Sequence, residues 1–249
     1  MTLSDFFCEV PSAALAFSGG ADSAYLLWAA LQSGVKLGVY YVNSAFQPAF
    51  ELEDAQRLAR ELGVRLNVLP ADVLSCPEVA ANPADRCYYC KRQIFSCIAR
   101  AAAADGYTVL LDGTNASDDA SDRPGMRALR ELQVRSPLRE CGLTKPEIRR
   151  LSREAGLFTW NKPAYACLAT RIPAGTAITP ELLARTERAE SRLTELGFSD
   201  LRVRTFHDCA RIQLPAAQLP QALARREEIL AALRPEYAGV LLDLEVRHG

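Results

Sequence analysis

The chain has 249 residues, of which 49% are hydrophobic and 24% are charged, and its formal net charge is −1. A chain of this length forms one large domain or a medium and a small one, and it buries a sizeable core without disulfides. The near-neutral charge argues against a dedicated nucleic-acid binder, which usually carries a basic excess. The sequence has no apolar stretch long enough to span a membrane and no signal-like start, so we expect a cytoplasmic protein.

Strand-forming and helix-forming segments alternate through the first part of the chain. The predicted strands are 13–17, 37–42, 64–69 and 108–111, and the predicted helices are 24–31, 48–62, 91–104 and 144–155. This alternation is typical of βαβ units with a parallel sheet. The predicted fold class is therefore α/β, with a doubly wound and mostly parallel sheet.

The pattern changes beyond residue 179. A helix at 180–196, strands at 201–206 and 210–214, a helix at 219–233 and a strand at 240–246 predict a small α+β domain. We place the domain boundary in the irregular stretch 172–180, so that residues 1–175 form the first domain and 176–249 the second.

A glycine-containing turn follows the first predicted strand. Residues 18–23 read Ser-Gly-Gly-Ala-Asp-Ser and lead into a predicted helix. A helix N-terminus offers unpaired N–H groups and a positive dipole to phosphate, and the glycines and serines allow close approach and add donors. Asp22 does not favour a bare phosphate and is suited to hold Mg²⁺ beside it. The alternative is a structural turn with helix caps, but the place of the motif in a βαβ series favours a nucleotide site.

This turn resembles the SGGxDS signature of the PP-loop ATP pyrophosphatases. The resemblance implies a sheet of that family's type and cleavage of ATP between its α and β phosphates, which activates a carbon–oxygen group as an adenylate. The residues implied to form the ATP site are Ser18, Gly19, Gly20, Asp22 and Ser23, with Mg²⁺ on Asp22.

Eight cysteines are unusual in a chain of this kind. Cys87 and Cys90 form a C-x-x-C whose thiols are within reach of one ion, and Cys167 follows much later. Three cysteines without an obvious fourth are typical of a [4Fe–4S] cluster with one open iron. Cys97 is a candidate fourth ligand or a buried apolar residue. A redox-active dithiol and simple core packing are the alternatives for the pair. We assign structural roles to the cysteines at 8, 76, 141 and 209.

Five further stretches resemble the LarE family of ATP-dependent sulfur transferases. They are 82–91 (Asn-Pro-x-Asp-Arg-Cys-Tyr-Tyr-Cys-Lys), 112–115 (Asp-Gly-Thr-Asn), 123–125 (Arg-Pro-Gly), 135–138 (Arg-Ser-Pro-Leu) and 162–171 (Lys-Pro-Ala-x-Ala-Cys-Leu-Ala-Thr-Arg). With the glycine turn, the resemblance covers residues 18–180, and the C-terminal domain fits it as well. Thr170 stands where the family often has serine, which keeps a hydroxyl.

The resemblance implies sulfur insertion during synthesis of the nickel-pincer nucleotide cofactor of lactate racemase. The carboxylates of pyridinium-3,5-biscarboxylic acid mononucleotide become thiocarboxylates. Some members give up the sulfur of the cysteine that matches Cys167, and others hold a [4Fe–4S] cluster whose open iron carries a sulfide. All three cysteine positions are present here, so we expect the cluster type, with Cys87, Cys90 and Cys167 as ligands. The resemblance also adds Gly113 and Thr114 to the ATP site and implies a sulfide donor and a homo-oligomer.

Substrate-binding candidates lie on both sides of residue 180. Arg202 and Arg204 are two apart on a predicted strand and so share one face, which suits a phosphate, although a solvated strand face is the alternative. Arg171, four residues past Cys167, would hold an anionic intermediate near the sulfur. Glu190 could face the positive pyridinium ring or solvent. The second domain would then serve substrate binding or oligomerisation.

Three competing functions remain open from the sequence. A PP-loop tRNA thiolase also combines this turn with cluster cysteines, but no RNA-binding module is evident. A PP-loop amidotransferase would leave the cysteines without a role, and a zinc-stabilised regulator would bind nucleotide without turnover. The main interpretation requires the sulfurs of Cys87, Cys90 and Cys167 to converge.

Overall fold

The computed structural model describes residues 1–118 and 124–247. The chain divides into two compact units. The first comprises Met1–Val79 and Asp85–Lys162, and the second comprises Ala80–Ala84 and the chain from Pro163 onward. Within the described residues, no helix combines the length and the apolar character that crossing a membrane requires.

A parallel sheet forms the centre of the first unit. Its strands are β1 Ser12–Ala16, β2 Lys36–Asn43, β3 Leu66–Pro70 and β4 Leu110–Leu111. They lie in the order β3-β2-β1-β4, and every neighbouring pair is parallel. The chain builds outward from β1 to β3 and then returns to the other side of β1. This order creates a topological switch point between β1 and β4.

Helices cover both faces of this sheet. From Leu3 to Glu154 the α-helices are α1 Leu3–Glu9, α2 Ala21–Gln32, α3 Ala49–Glu61, α4 Pro77–Ala80, α5 Arg86–Ala104, α6 Pro124–Glu131, α7 Pro137–Glu140 and α8 Lys145–Glu154. Leu15 of β1 is buried with Leu26 of α2, whereas its neighbour Ala14 is buried on the other face with Ile98 of α5. Each fully buried leucine or isoleucine contributes about 1.5–3 kcal/mol. The predicted doubly wound α/β sheet is confirmed.

The second unit contains a three-stranded mixed sheet. Its elements are α9 Pro180–Glu195, β5 Arg202–Phe206, β6 Cys209–Gln213, α10 Leu219–Ala224, α11 Arg226–Leu233 and β7 Gly239–Leu242. β5 and β6 are antiparallel, whereas β6 and β7 are parallel. The helix predicted at 219–233 is interrupted at Arg225, whose φ of −104° and ψ of 24° leave the helical range. The small α+β fold expected here is confirmed.

The two units divide between Lys162 and Pro163, earlier than the expected boundary at 175. The residues after Pro163 belong to the second unit because they bond to the short segment 80–84. The side chain of Asn82 donates to the carbonyl oxygens of Pro173 at 2.8 Å and of Thr176 at 3.1 Å. These long-range bonds have no signature in the local sequence pattern.

Helix α5 begins at Arg86, five residues before the predicted start. Cys87 and Cys90 therefore lie on its first turns and not in a preceding loop. Pro83 disfavours helical backbone at the residue before it, and Asn82 indeed has a φ of +54°. The chain turns into the helix only after this break, which brings both cysteines onto a helical surface.

Candidate functional site

The glycine turn joins β1 to α2 at the carboxyl edge of the sheet. Helix α2 begins at Ala21 with Gly20 as its N-cap, and no side chain of the described residues caps it. The N–H groups of its first turn are therefore available as donors to a bound anion. Gly19 has a φ of +75°, and a Cβ there would lie 3.2 Å from the Glu51 carbonyl oxygen and 3.3 Å from Ala55 Cβ. Backbone conformation and close packing on α3 both favour glycine at this position.

Two serine hydroxyls hold the backbone of the turn. Ser18 Oγ and Ser23 Oγ lie 3.0 Å apart, and Ser23 Oγ donates to the Gly20 carbonyl oxygen at 3.2 Å. In addition, the Ser18 N–H donates to Ser23 Oγ and the Gly20 N–H to Ser18 Oγ, each at 3.4 Å. The predicted serines thus shape the loop that would receive a phosphate.

Asp22 lies on the first turn of α2 with its carboxylate largely removed from solvent. Its Oδ1 atom is buried and has no hydrogen-bond partner within residues 1–118 and 124–247. Burial raises the pKa of the Asp22 carboxyl, and the charge of Asp118 adds to this rise, whereas the charges of Lys145 and Arg149 and the side chain of Asn115 oppose it. A buried carboxylate oxygen without a donor is unfavourable. Since Mg²⁺ prefers carboxylate oxygens, the residues here fit this ion.

Lys162 connects the glycine turn to α3. Its Nζ atom donates to the Gly19 carbonyl oxygen at 3.3 Å and pairs with Glu51 Oε2 at 3.1 Å and Asp54 Oδ2 at 2.7 Å. The local sequence pattern does not single out this lysine, because it lies 143 positions from Gly19. Its only signal was its place at the start of the 162–171 stretch.

The loop after β4 packs directly on the glycine turn. A Cβ on Gly113 would lie 3.0 Å from the backbone nitrogen of Ser23, so a side chain there would push against α2. The buried Asp112 carboxylate accepts from the Thr114 N–H at 3.2 Å, Thr114 Oγ1 at 2.5 Å and Ser136 Oγ at 2.6 Å. The loop is therefore fixed at the switch point between β1 and β4, where open α/β sheets bind ligands.

Cys87 and Cys90 project from the N-terminal end of α5. Cys87 is exposed and Cys90 is buried. The Arg86 guanidinium donates to Cys87 Sγ at 3.8 Å. The pair could supply two ligands to one ion. Among the residues that the structure describes, no three His, Cys, Asp or Glu side chains are grouped to hold a metal ion. The convergence with Cys167, and Cys97 as a fourth ligand, stay predictions.

Cys167 lies in a loop of the second unit that hydrogen bonds hold in place, directly before the 3₁₀ turn Leu168–Arg171. Its carbonyl oxygen accepts from the Thr170 N–H and Thr170 Oγ1, each at 2.9 Å, and from Arg171 Nη1 at 3.3 Å. Arg171 Nη1 also donates to the Ala166 carbonyl oxygen at 2.7 Å. The threonine hydroxyl and the arginine therefore fix the backbone on both sides of the sulfur.

Arg171 and Glu190 form a buried ion pair, with 1% and 6% of each residue exposed. Arg171 Nε and Nη2 donate to the two Glu190 oxygens at 2.8 and 3.2 Å. The Glu190 carboxylate also accepts from the Tyr165 hydroxyl at 2.6 Å and the Val203 N–H at 2.9 Å. Burial, followed by the Glu190 charge, raises the pKa of Tyr165. The positive charge that faces Glu190 is therefore the Arg171 guanidinium. Roles for either residue in substrate binding stay predictions.

Arg202 is buried in the second unit. It is 3% exposed, and its guanidinium lies 4.7 Å from the centre of the Tyr165 ring. It donates to the carbonyl oxygens of Leu201, at 2.6 Å, and Ala164. Burial, and then the charge of Arg171, lower the pKa of Arg202 to about 10. These contacts anchor the segment before Cys167 to β5.

Arg204 shares a strand with Arg202 but has different surroundings. Its Nε donates to Gln213 Oε1 at 2.7 Å, and its Nη1 donates to the Thr170 carbonyl oxygen at 2.6 Å. Arg204 also lines a cavity of about 520 Å³. The two arginines thus share a strand as predicted, but Arg202 is buried and Arg204 is only partly buried.

The structure brings the predicted residues together in two sets, one in each unit. In the first unit, the loop after β4 meets the glycine turn. In the second unit, hydrogen bonds link the neighbourhoods of Cys167, Arg171, Glu190, Arg202 and Arg204. Of the quoted 123–125 stretch, Arg123 lies outside the described residues.

No protein-family model matches the chain. A pyridinium-3,5-bisthiocarboxylic acid mononucleotide synthase of Lactiplantibacillus plantarum is 36% identical to it over 233 residues, which cover 92% of this chain and 84% of that protein. An uncharacterized protein of Synechocystis sp. is 39% identical over 88% of this chain and 82% of its own length. An uncharacterized protein of Methanocaldococcus jannaschii is 28% identical over 93% of this chain and 89% of its own length. The chain therefore belongs to the LarE family of pyridinium-3,5-bisthiocarboxylic acid mononucleotide synthases.

Proposed function

We propose that this chain is an ATP-dependent sulfur transferase that converts the carboxylates of pyridinium-3,5-biscarboxylic acid mononucleotide into thiocarboxylates. The reaction would serve synthesis of the nickel-pincer nucleotide cofactor of lactate racemase. The observation that carries the proposal is the 36% identity over 92% of the chain with the L. plantarum synthase. The glycine turn and the buried Oδ1 atom of Asp22 support the nucleotide chemistry that this reaction needs.

The first half of the reaction activates a carboxylate. Oxide is a poor leaving group, so the substrate carboxylate oxygen first attacks the α-phosphorus of ATP. The bond from this phosphorus to the bridging oxygen breaks, which yields an acyl-adenylate and pyrophosphate. The first-turn N–H groups of α2 stabilise the charge on the departing pyrophosphate. Asp22 would hold Mg²⁺, which supplies further charge neutralisation when bound. No general base is required, because the carboxylate is already ionised at neutral pH.

The second half delivers sulfur to the acyl carbon. Sulfide attacks this carbon, AMP leaves with the electron pair of the broken carbon–oxygen bond, and the thiocarboxylate remains. A [4Fe–4S] cluster held by Cys87, Cys90 and Cys167 would supply this sulfide when bound. The alternative is that the Cys167 thiolate forms a thioester itself, and that loss of its α-proton then cleaves the carbon–sulfur bond and leaves dehydroalanine. In both routes, Thr170 and Arg171 hold the Cys167 backbone in place.

The proposal is tested with anaerobically purified protein, ATP, Mg²⁺ and the biscarboxylate mononucleotide. We expect pyrophosphate and AMP to form only when the carboxylate substrate is present, together with a thiocarboxylate detected by mass spectrometry. ATP cleavage that does not depend on this substrate, or none at all, would contradict the proposal. Thiolation of tRNA by the same preparation would instead favour the thiolase interpretation.

The sulfur route is tested by metal analysis and by the mass of the peptide that contains Cys167. Iron with acid-labile sulfide, lost in Cys87→Ala and kept in Cys8→Ala, supports the cluster. Cys8 is the matched control, because it belongs to the same unit, is exposed like Cys87 and loses one thiol on replacement. A Cys167 peptide that loses the mass of hydrogen sulfide after turnover supports the sacrificial route, and zinc without turnover supports a regulator.

A further inference from the structure

Tyr88 lies between the two cysteines of the C-x-x-C, on the first turns of α5, and its side chain is buried. A buried tyrosine hydroxyl usually has a hydrogen-bond partner. This hydroxyl has two, because it donates to Glu131 Oε2 at 2.7 Å and accepts from Arg92 Nη1 at 3.3 Å. Within the described part of the chain, the hydroxyl of the next residue, Tyr89, makes no hydrogen bond. The two adjacent tyrosines therefore differ in what their hydroxyls do.

The ring of Tyr88 is held as well as its hydroxyl. The guanidinium carbon of Arg127 lies 3.9 Å from the ring centre, and that of Arg92 lies 5.6 Å from it. A guanidinium over an aromatic face is attracted by the quadrupole of the ring. Arg127 Nε also lies 3.8 Å from Glu131 Oε1, so the two residues of α6 contact each other as well as the tyrosine. Helix α6 thus holds the start of α5 through one side chain.

The residue on the other side of Cys87 is also anchored. Arg86 is buried, and its guanidinium carbon lies 5.9 Å from the ring centre of Phe46, which is buried as well. The N-cap of α5 is Asp85, and no side chain of the described residues caps this helix end. Helix ends fray when their first N–H groups lack partners. The contacts of Arg86 and Tyr88 therefore hold the turn that carries Cys87.

Helix geometry separates this anchor from the two sulfurs. An α-helix turns by about 100° per residue, so Cys87 and Cys90 lie about 60° apart around the axis of α5. Side chains three positions apart are neighbours on a helix surface. Tyr88 is displaced by about 100° from Cys87 and by about 160° from Cys90. Its contacts with α6 thus fix the rotation of the helix and leave the side on which the thiols meet free for a ligand.

We infer that Tyr88 is a positioning residue for the cysteine pair Cys87 and Cys90. Through Glu131 and Arg127 of α6, it holds both sulfurs where one metal ion can bind them. The hydroxyl is part of this role, because a phenylalanine would fill the same space without the bond to Glu131. The use of the pair in sulfur transfer rests on the proposed function, whereas its ability to share an ion is a property of α5 and α6.

The test is protection of the Cys87 thiol by Cd²⁺. The full-length chain, reduced and freed of metal with a chelator, is titrated with Cd²⁺ under anaerobic conditions and then alkylated. Cleavage after lysine and arginine releases residues 87–91, which contain these two cysteines and no other. Mass spectrometry of this peptide measures alkylation at Cys87, which is the reporter because it is exposed. Cys90→Ala shows whether the protection of Cys87 requires both sulfurs.

The variants remove the anchor in steps. Tyr88→Phe keeps the ring and removes the hydroxyl, Tyr88→Ala removes both, and Glu131→Ala removes the acceptor. Tyr89→Phe is the matched control, because it removes one hydroxyl from the adjacent residue of the same helix. ATP binding and the thermal midpoint of each variant report whether the chain is folded. Tyr88→Phe and Glu131→Ala keep the test decisive if Tyr88→Ala does not fold.

We expect the parent and Tyr89→Phe to protect Cys87 at the same Cd²⁺ concentration, and Cys90→Ala to lose the protection. Tyr88→Phe and Glu131→Ala should need roughly tenfold more Cd²⁺, and Tyr88→Ala still more, while ATP binding stays parental. Parental protection in Tyr88→Phe and Glu131→Ala, or in Cys90→Ala, overturns the inference, as does an equal loss in Tyr89→Phe. Failure of the proposed function would appear separately, as parent protein that releases no substrate-dependent pyrophosphate.

Discussion

Two charged sites, one in each unit, have opposite surroundings. In the second unit, Arg171 and Glu190 bond to each other twice and to the neighbouring backbone. In the first unit, Asp22 Oδ1 is buried and meets no donor within the described residues. A buried ion pair with a full set of hydrogen bonds fixes the protein's own loops, whereas a buried carboxylate oxygen without a donor can still accept a ligand. The contrast separates groups that position the site from groups that bind.

The largest effect is expected at the buried ion pair of Arg171 and Glu190. Replacing Arg171 with methionine leaves the Glu190 carboxylate buried without its cation, so the free energy of unfolding should fall by about 3–5 kcal/mol. Denaturant unfolding of the parent and the variant measures this loss. The double replacement of Arg171 with methionine and Glu190 with glutamine should recover part of it. If Arg171→Met alone were as stable as the parent, the ion pair would not stabilise this unit.

The next effect concerns activity. Asp22→Asn removes the carboxylate charge that we propose for Mg²⁺, and substrate-dependent pyrophosphate release should fall by about a hundredfold or more. The overall fold should persist, because Asp22 Oδ1 makes no hydrogen bond within the described residues. Steady-state rates with varied Mg²⁺ measure the change. Unchanged activity at low Mg²⁺ would remove Asp22 from the metal site.

The same residue predicts a pH dependence of stability. The pKa of Asp22 is raised above its ordinary value of 3.8 in the folded chain, chiefly by burial. Its favourable contribution is therefore present below 3.8 and is lost as the pH rises through the folded pKa. Asparagine does not titrate, so Asp22→Asn should gain stability relative to the parent between acidic and neutral pH. Unfolding curves without Mg²⁺ test this, and a stability difference that is constant with pH would contradict it.

A smaller effect is expected at Lys162. Lys162→Met removes the contact with the Gly19 carbonyl oxygen and leaves Glu51 and Asp54 without this cation, so ATP should bind roughly tenfold more weakly. Lys162→Arg keeps the charge and should retain most of the affinity. ATP titration of both variants measures the effect. Parental affinity in Lys162→Met would mean that the glycine turn holds its shape without the lysine.

The smallest effect is expected at an exposed ion pair. Arg188 pairs with Glu236 through contacts of 2.7 and 2.8 Å, but the arginine side chain is 52% exposed. Solvent screening weakens such pairs. Arg188→Gln should therefore leave the thermal midpoint almost unchanged when measured beside Arg171→Met. A loss as large as that of Arg171→Met would break the distinction between buried and exposed pairs.

The sheet and the glycine turn could be predicted from the sequence because their signals are local. Apolar runs, glycines and helix formers gave β1, β2 and β3 to within two residues, and the motif at 18–23 lies at the predicted strand-to-helix turn. The start of α5 at Arg86 could not be predicted, because Pro83 marks a break in the backbone but not the residue at which the helix begins. Helix formers alone did not reveal the interruption at Arg225.

The burial of individual side chains, and contacts between residues far apart in the sequence, could not be predicted. A period of two places Arg202 and Arg204 on one face but does not show that Arg202 is buried under backbone contacts. Likewise, Lys162 reaches the glycine turn only through the tertiary fold. These residues acquire their roles from packing, which a linear pattern does not encode.

The most direct test of the proposed sulfur transfer is Cys167→Ala, assayed anaerobically with ATP and the biscarboxylate mononucleotide. We expect this variant to release pyrophosphate in a substrate-dependent manner, because the glycine turn and Asp22 are intact, but to form no thiocarboxylate. Thiocarboxylate formation by Cys167→Ala at the parental rate would contradict the role assigned to this sulfur.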